Sequence, residues 1–289
     1  MTTIKAFVKN HPVLSFFALA FTLSWGAVLM VVGPSGFLGT KEISEVLEPF
    51  LYVAMVVGPS VAGILFTGLL YGRAGLREFG SRLLRWRVGA RWYAVALLTA
   101  PLLMMAFLFA LSLISPVYLP GIFVTDDKAT VLLSGIAGGL TAGIFEELGW
   151  KGFAIPTLMR LRYGVLGTGL FVGVLWGAWH FPLFSGSASS SGTVPPALYL
   201  LVLLFSVLPA FRVLMVWVYD RTGSLLVAIL MHVSLTASTL ILMPLATSGV
   251  TAVTYDLVLA AALWVVVAAV AVANGGHLTR QPPLRRRMA

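Results

Sequence analysis

Residues 130–158 read "TVLLSGIAGGLTAGIFEELGWKGFAIPTL", an apolar run with two adjacent carboxylates, Glu146 and Glu147, inside it. About 20 apolar residues are enough to cross the hydrocarbon of a bilayer, so the run spans a membrane. An acidic residue at the centre of such a helix costs about 2.5–3.5 kcal/mol on insertion scales. Two of them therefore need partners or a task. Gly135, Gly139 and Gly143 repeat every four residues and lead into the pair. Residues three or four apart share a helix face, and stripes of small residues mark where membrane helices approach closely. The carboxylates thus lie on a contact face rather than towards lipid.

The rest of the chain agrees with this solvent. Of 289 residues, 59% are apolar and 10% charged, and the mean hydropathy is +0.98. A soluble domain carries about 25% charged residues. Further apolar windows near 12–33, 50–71, 92–115, 163–184, 197–219, 224–246 and 252–273 bring the expected total to eight. The fold class is an all-α polytopic membrane protein of about eight transmembrane helices around a buried polar cavity. It forms a single integral membrane domain over 1–289, with the chemistry concentrated in 130–240. The 130–158 run is long for one crossing, and Pro156 is expected to break it. There is no cysteine, which removes disulfides, thiolate metal sites and cysteine lipidation. Lys5 and Lys9 precede an apolar run that continues to Val32, so a retained first span is expected rather than a signal peptide. The C-terminus, ending Arg285-Arg286-Arg287-Met288-Ala289, has no prenylation box.

Charge sets the expected topology. Arg73, Arg77, Arg82, Arg85, Arg87 and Arg91 follow the second run, Arg160 and Arg162 the fourth, Arg221 the sixth, and Arg280 with Arg285–Arg287 the last. The opposite loops hold Lys41 and Lys128 against Glu42, Glu45, Glu48, Asp126, Asp127 and Asp256. The positive-inside bias puts both termini in the cytoplasm, as expected of a multi-pass protein of a bacterial plasma membrane. This asymmetry, with anionic lipid, accounts for the formal net charge of +9, and nucleic acid is not implied as a partner.

Two further stripes match the first. Gly169, Gly173 and Gly177 lead to His180, and Ser224, Ala228, His232 and Thr236 form an i, i+4 ladder. At 1.5 Å per residue, Glu146 lies roughly 21 Å from Arg160, His180 about 27 Å from Arg162, and His232 about 16 Å from Arg221. All three fall within the hydrocarbon, so the stripes place these groups in one cavity. Simpler roles compete at each position. Glu147 and Lys151 have the spacing of an i, i+4 ion pair. Trp176 reads as packing, Thr236 as bonded back to its own helix carbonyl, and Arg212 as a side chain snorkelling to the interface.

Two carboxylates and two imidazoles around a cavity suit the activation of water by a general base. They also suit zinc: Glu146, His180 and His232 would be three N/O ligands with a fourth position for water, and Glu147 would be left as base. The His-Glu-x-x-His spacing is absent, and both routes stay open.

The ordered set Glu-Glu-x-x-x-Lys, Trp-x-x-x-His and His-x-x-x-Thr resembles the three signature motifs of the CPBP family of intramembrane proteases. Its members include type II CAAX prenyl endopeptidases and bacteriocin-processing and immunity proteins. The text around the motifs is similar too: "FEELGWKGFAIPTL" at 145–158, "VLWGAWHFPLF" at 174–184 and "VYDRTGSLLVAILMHVSLTAS" at 218–238. The resemblance implies eight helices and an intramembrane endopeptidase acting on a membrane-associated peptide or protein substrate. Glu146 would activate water, Glu147 would position it, and His180 and His232 would hold the water or the oxyanion. Lys151, Trp176 and Thr236 stand where the family carries Arg, Phe and Asn. Lysine keeps the charge and tryptophan the aromatic bulk, whereas a threonine hydroxyl is a shorter donor than a carboxamide at an oxyanion site. Two rival functions share the residues: an immunity or scaffold protein without turnover, and a proton-coupled transporter relaying protons through the glutamates and histidines. The paired, interrupted spans of a transporter are not seen in the sequence.

Overall fold

The computed structural model describes residues 3–245 and 248–280; Arg285–Arg287 of the charge pattern lie outside them. Among the described residues the elements are all helical. Among these residues seven helices are long and apolar enough to cross a membrane: Pro12–Phe37, Glu48–Leu83, Ala90–Ser112, Lys128–Arg160, Pro196–Thr222, Leu225–Leu242 and Gly249–Ala273. Gly164–Trp179 and Phe181–Ser187, bent by 50° at His180, supply an eighth crossing when taken as one broken span. They are numbered below as spans one to eight in chain order, with the bent pair fifth. This is the all-α polytopic membrane protein that the hydropathy implies.

The order in space differs from the order in sequence. The first span packs on the second, the second on the fourth, the fourth on the seventh, and the seventh on the third. The fifth packs on the sixth, and the sixth on the eighth. The fourth span is therefore held from both sides. On one side Tyr52 Oη donates to the Gly138 carbonyl at 2.8 Å, and the Ser60 hydroxyl donates to the Phe145 carbonyl. On the other, the glycine stripe lies against backbone of the seventh span: a Cβ at Gly143 would be 2.9 Å from Val233 N and 3.0 Å from Ile229 O. Only glycine allows that approach, and it carries His232 up to the carboxylates.

The fourth span starts at an N-cap, Asp127, which accepts from Thr130 N at 3.0 Å. Hydrogen bonding from the Thr130 side chain, and then from its backbone N–H, holds the Asp127 carboxyl below the usual carboxylate range. The span does not break at Pro156. Lys128–Gly149 passes into a π-helical turn, Trp150–Ala154, before Ile155–Arg160 resumes the α-helix. Pro156 falls in the first turn of that last helix, where the missing N–H is harmless. The second span also departs from expectation. It continues as helix to Leu83 past a kink at Gly72, whose φ of 60° suits glycine, so Arg73, Arg77 and Arg82 ride on helix rather than loop.

Candidate active site

Glu146 and Glu147 end the α-helical part of the fourth span, and both are buried. Adjacent helical residues point about 100° apart, so the two carboxylates enter different surroundings. Glu147 Oε2 accepts from Lys151 Nζ at 2.7 Å. Its Oε1 accepts from Arg212 Nη1 at 2.6 Å and meets His232 Nδ1 at 2.8 Å. Glu146 Oε2 instead accepts from two indoles, Trp176 Nε1 at 2.7 Å and Trp150 Nε1 at 3.2 Å. Glu146 Oε1 has no hydrogen-bond partner among the described residues. His232 Nε2 stands 3.9 Å from Glu146 Oε2, so one imidazole touches both carboxylates.

Charge balances across this cluster. Two carboxylates face two fully buried cations, Lys151 and Arg212, both at 0% exposure. Such burial is tolerable only with close pairing, because an unpaired ion in a low dielectric is very costly. The ion pair of Glu147 with Lys151 is thus present, as part of a larger network rather than as a rival to it.

Two side chains take places that the sequence did not indicate. Arg212 does not snorkel. Its guanidinium lies 3.8 Å from the Trp176 ring centroid and donates to Glu147, while Nε and Nη2 have no partner among the described residues. The second glycine stripe puts it there: Gly173 lies so close to the sixth span that a Cβ would sit 2.6 Å from Pro209 Cα and 3.2 Å from Arg212 Cβ. Trp176 is likewise more than packing, since it both donates to Glu146 and carries Arg212 on its face. The signal for Arg212 was its charge within an apolar span, which snorkelling explained away.

His180 arrives differently. It caps the fifth span's first helix, and its Nδ1 meets the Trp176 carbonyl at 2.7 Å. It reaches the cluster through ring contact with Trp176, at 5.3 Å between centroids, whereas His232 touches the same indole at 5.1 Å. The first span braces this side: Phe16 and Phe17 pack on Trp150, and Trp25 Nε1 donates to the Trp179 carbonyl at 3.0 Å. Thr236 is half-buried one turn beyond His232 and makes no hydrogen bond among the described residues, so it does not bond back as expected. Thr222 and Thr239 do, at 2.8 and 3.0 Å.

The structure therefore brings Glu146, Glu147, Lys151, Trp176 and His232 into direct contact, joins His180 to Trp176, and leaves Thr236 half-buried one turn beyond His232. Among the described residues no three His, Asp or Glu side chains converge as a metal-ligating group. As placed, Glu146 contacts the indoles of Trp150 and Trp176, and His180 and His232 contact the Trp176 carbonyl and Glu147 through Nδ1.

Fold and site together define the class: a multi-pass α-helical membrane protein with a carboxylate–imidazole centre buried between its helices. Residues 128–238 match the family described as type II CAAX prenyl endopeptidase, Rce1-like. CAAX prenyl protease 2 of Methanococcus maripaludis is 32% identical over 96 residues, covering 32% of this chain and 35% of that relative. The aligned region thus spans about a third of the relative's length. Over residues 128–238 the chain is thus similar to the type II CAAX prenyl endopeptidases, the likeness that its three motifs implied.

Proposed function

We propose that the chain is an intramembrane endopeptidase in which Glu146 activates water. The observation that supports it is the unequal treatment of the two carboxylates: Glu147 is saturated by Lys151, Arg212 and His232, whereas Glu146 keeps Oε1 without a partner among the described residues. Glu147 then anchors the site. With Nδ1 donating to Glu147, His232 presents the lone pair of Nε2 beside Glu146, where it orients the same water. Glu146 takes one proton from that water as its oxygen bonds to the scissile carbonyl carbon. The carbonyl oxygen becomes an oxyanion, favoured by the buried positive charges of Arg212 and Lys151. Collapse breaks the C–N bond, and Glu146 returns the proton to the leaving amine. Orientation without reorganisation is what the buried network contributes.

The substrate is a membrane-associated peptide or protein. The name of the archaeal relative makes a prenylated C-terminal peptide the first to try, beside an unprenylated hydrophobic peptide. Purified protein in liposomes is expected to cleave one of the two, and Glu146→Gln and His232→Ala to abolish cleavage. Turnover at the wild-type rate in both variants would falsify this assignment. Thr236 favours a second function, an immunity or scaffold protein without turnover, because it offers no carboxamide where the resemblance implies one. Biological protection that persists in Glu146→Gln would select that function.

A further inference from the structure

Arg82 lies far from the matched residues in sequence, yet it is 8% exposed and sits under the π-helical turn. Its Nη2 donates to the Gly152 carbonyl at 3.0 Å, and its Nη1 donates to Tyr219 Oη at 2.8 Å and reaches the Lys151 carbonyl at 3.5 Å. Its Nε is 3.9 Å from Glu78, which also accepts from Arg160 at 3.3 Å. A π turn widens the helical ladder and leaves carbonyls poorly matched to the i→i−4 pattern. Buried among helices, those carbonyls need a donor from elsewhere, and a guanidinium offers several in a rigid fork. Gly152 permits the approach, because a Cβ there would collide with the Phe79 ring of the same second-span segment.

The turn's own side chains do the next step. Trp150 donates to Glu146 and Lys151 to Glu147, each across four residues. A change in the pitch of the turn would move both donors relative to both acceptors.

We propose that Arg82 is a positioning residue: by clamping the carbonyls of Lys151 and Gly152 it sets the π turn, and through the turn the placement of Glu146 and Glu147. The proteolytic function enters only the kinetic part of the test. Arg82→Lys keeps a positive charge at this site but loses the fork, and Arg82→Gln loses both. In the purified full-length protein, both variants are expected to speed amide exchange over residues 151–156 by roughly tenfold, the loss of one charged hydrogen bond. Exchange elsewhere and the unfolding temperature stay near wild type. With the prenylated peptide, kcat falls by roughly tenfold and KM holds. Arg77→Gln, exposed on the same segment, changes neither. Wild-type exchange in Arg82→Lys would overturn the proposal and leave Arg82 a topology charge. A uniform rise in exchange across all spans would also overturn it, making Arg82 a general brace. Should the wild type cleave no peptide, the exchange result still decides the clamp, and the failure belongs to the proteolytic function.

Discussion

The two sides of the buried centre are built to opposite ends, although they belong to neighbouring residues. Around Glu147 three elements close in: Lys151 from its own helix, Arg212 from the sixth span and His232 from the seventh, all at 2.6–2.8 Å. Around Glu146 the partners are neutral indoles, and one carboxylate oxygen stays unclaimed among the described residues. The difference teaches how a helix separates two identical side chains. A rotation of about 100° between them exposes one to the charged sixth and seventh spans and the other to the aromatic fifth. One carboxylate is fully paired, and the other keeps an oxygen open among the described residues.

Substitutions break this comparison in graded steps. Glu146→Gln is expected to lower kcat by about 10²–10⁴-fold, the usual worth of a general base, with folding unchanged by thermal denaturation. Arg212→Met leaves Glu147 short of a partner and should cost about 3–5 kcal/mol of stability, read from unfolding in mixed micelles. A stability loss on the Glu146 side as large as on the Glu147 side would erase the contrast. Trp176→Phe removes the 2.7 Å indole bond, and a hydrogen bond to a charged group is worth about 1.5–3 kcal/mol. Its loss should appear mainly in kcat, with circular dichroism unchanged. Thr236→Asn should raise kcat a few-fold, well under the roughly 10²–10³ of a complete oxyanion donor. The smallest expected effect is that of a strong chelator: cleavage persists after dialysis, and zinc at one equivalent per chain by metal analysis would speak for the triad of Glu146, His180 and His232.

Much of this was legible in one dimension. Glycines at 135, 139 and 143 signalled close contact, and the fourth span does lie on seventh-span backbone. The register was one residue off the expected ladder: the stripe meets Ile229, Val233 and Ala237, beside His232 rather than on it. The second stripe was equally visible, but its partner was not. Gly169 and Gly173 pack on Val213 and Pro209 of the sixth span, and His180 stands against the ring of Trp176, which donates to Glu146. A stripe announces that a helix will be approached and is silent about which one comes. Arg212 and Arg82 were hidden for the same reason: each was explained locally, as a snorkelling end and as a loop charge.

By itself, the sequence determined the solvent, the spans and the residues that do not belong in hydrocarbon, because hydropathy and the cost of buried charge act residue by residue. Only the tertiary structure decided which glutamate is pinned and which is left open, where the π turn falls, and that two arginines are interior. Those depend on which helices meet, and charge compensation inside a bundle is settled by neighbours in space.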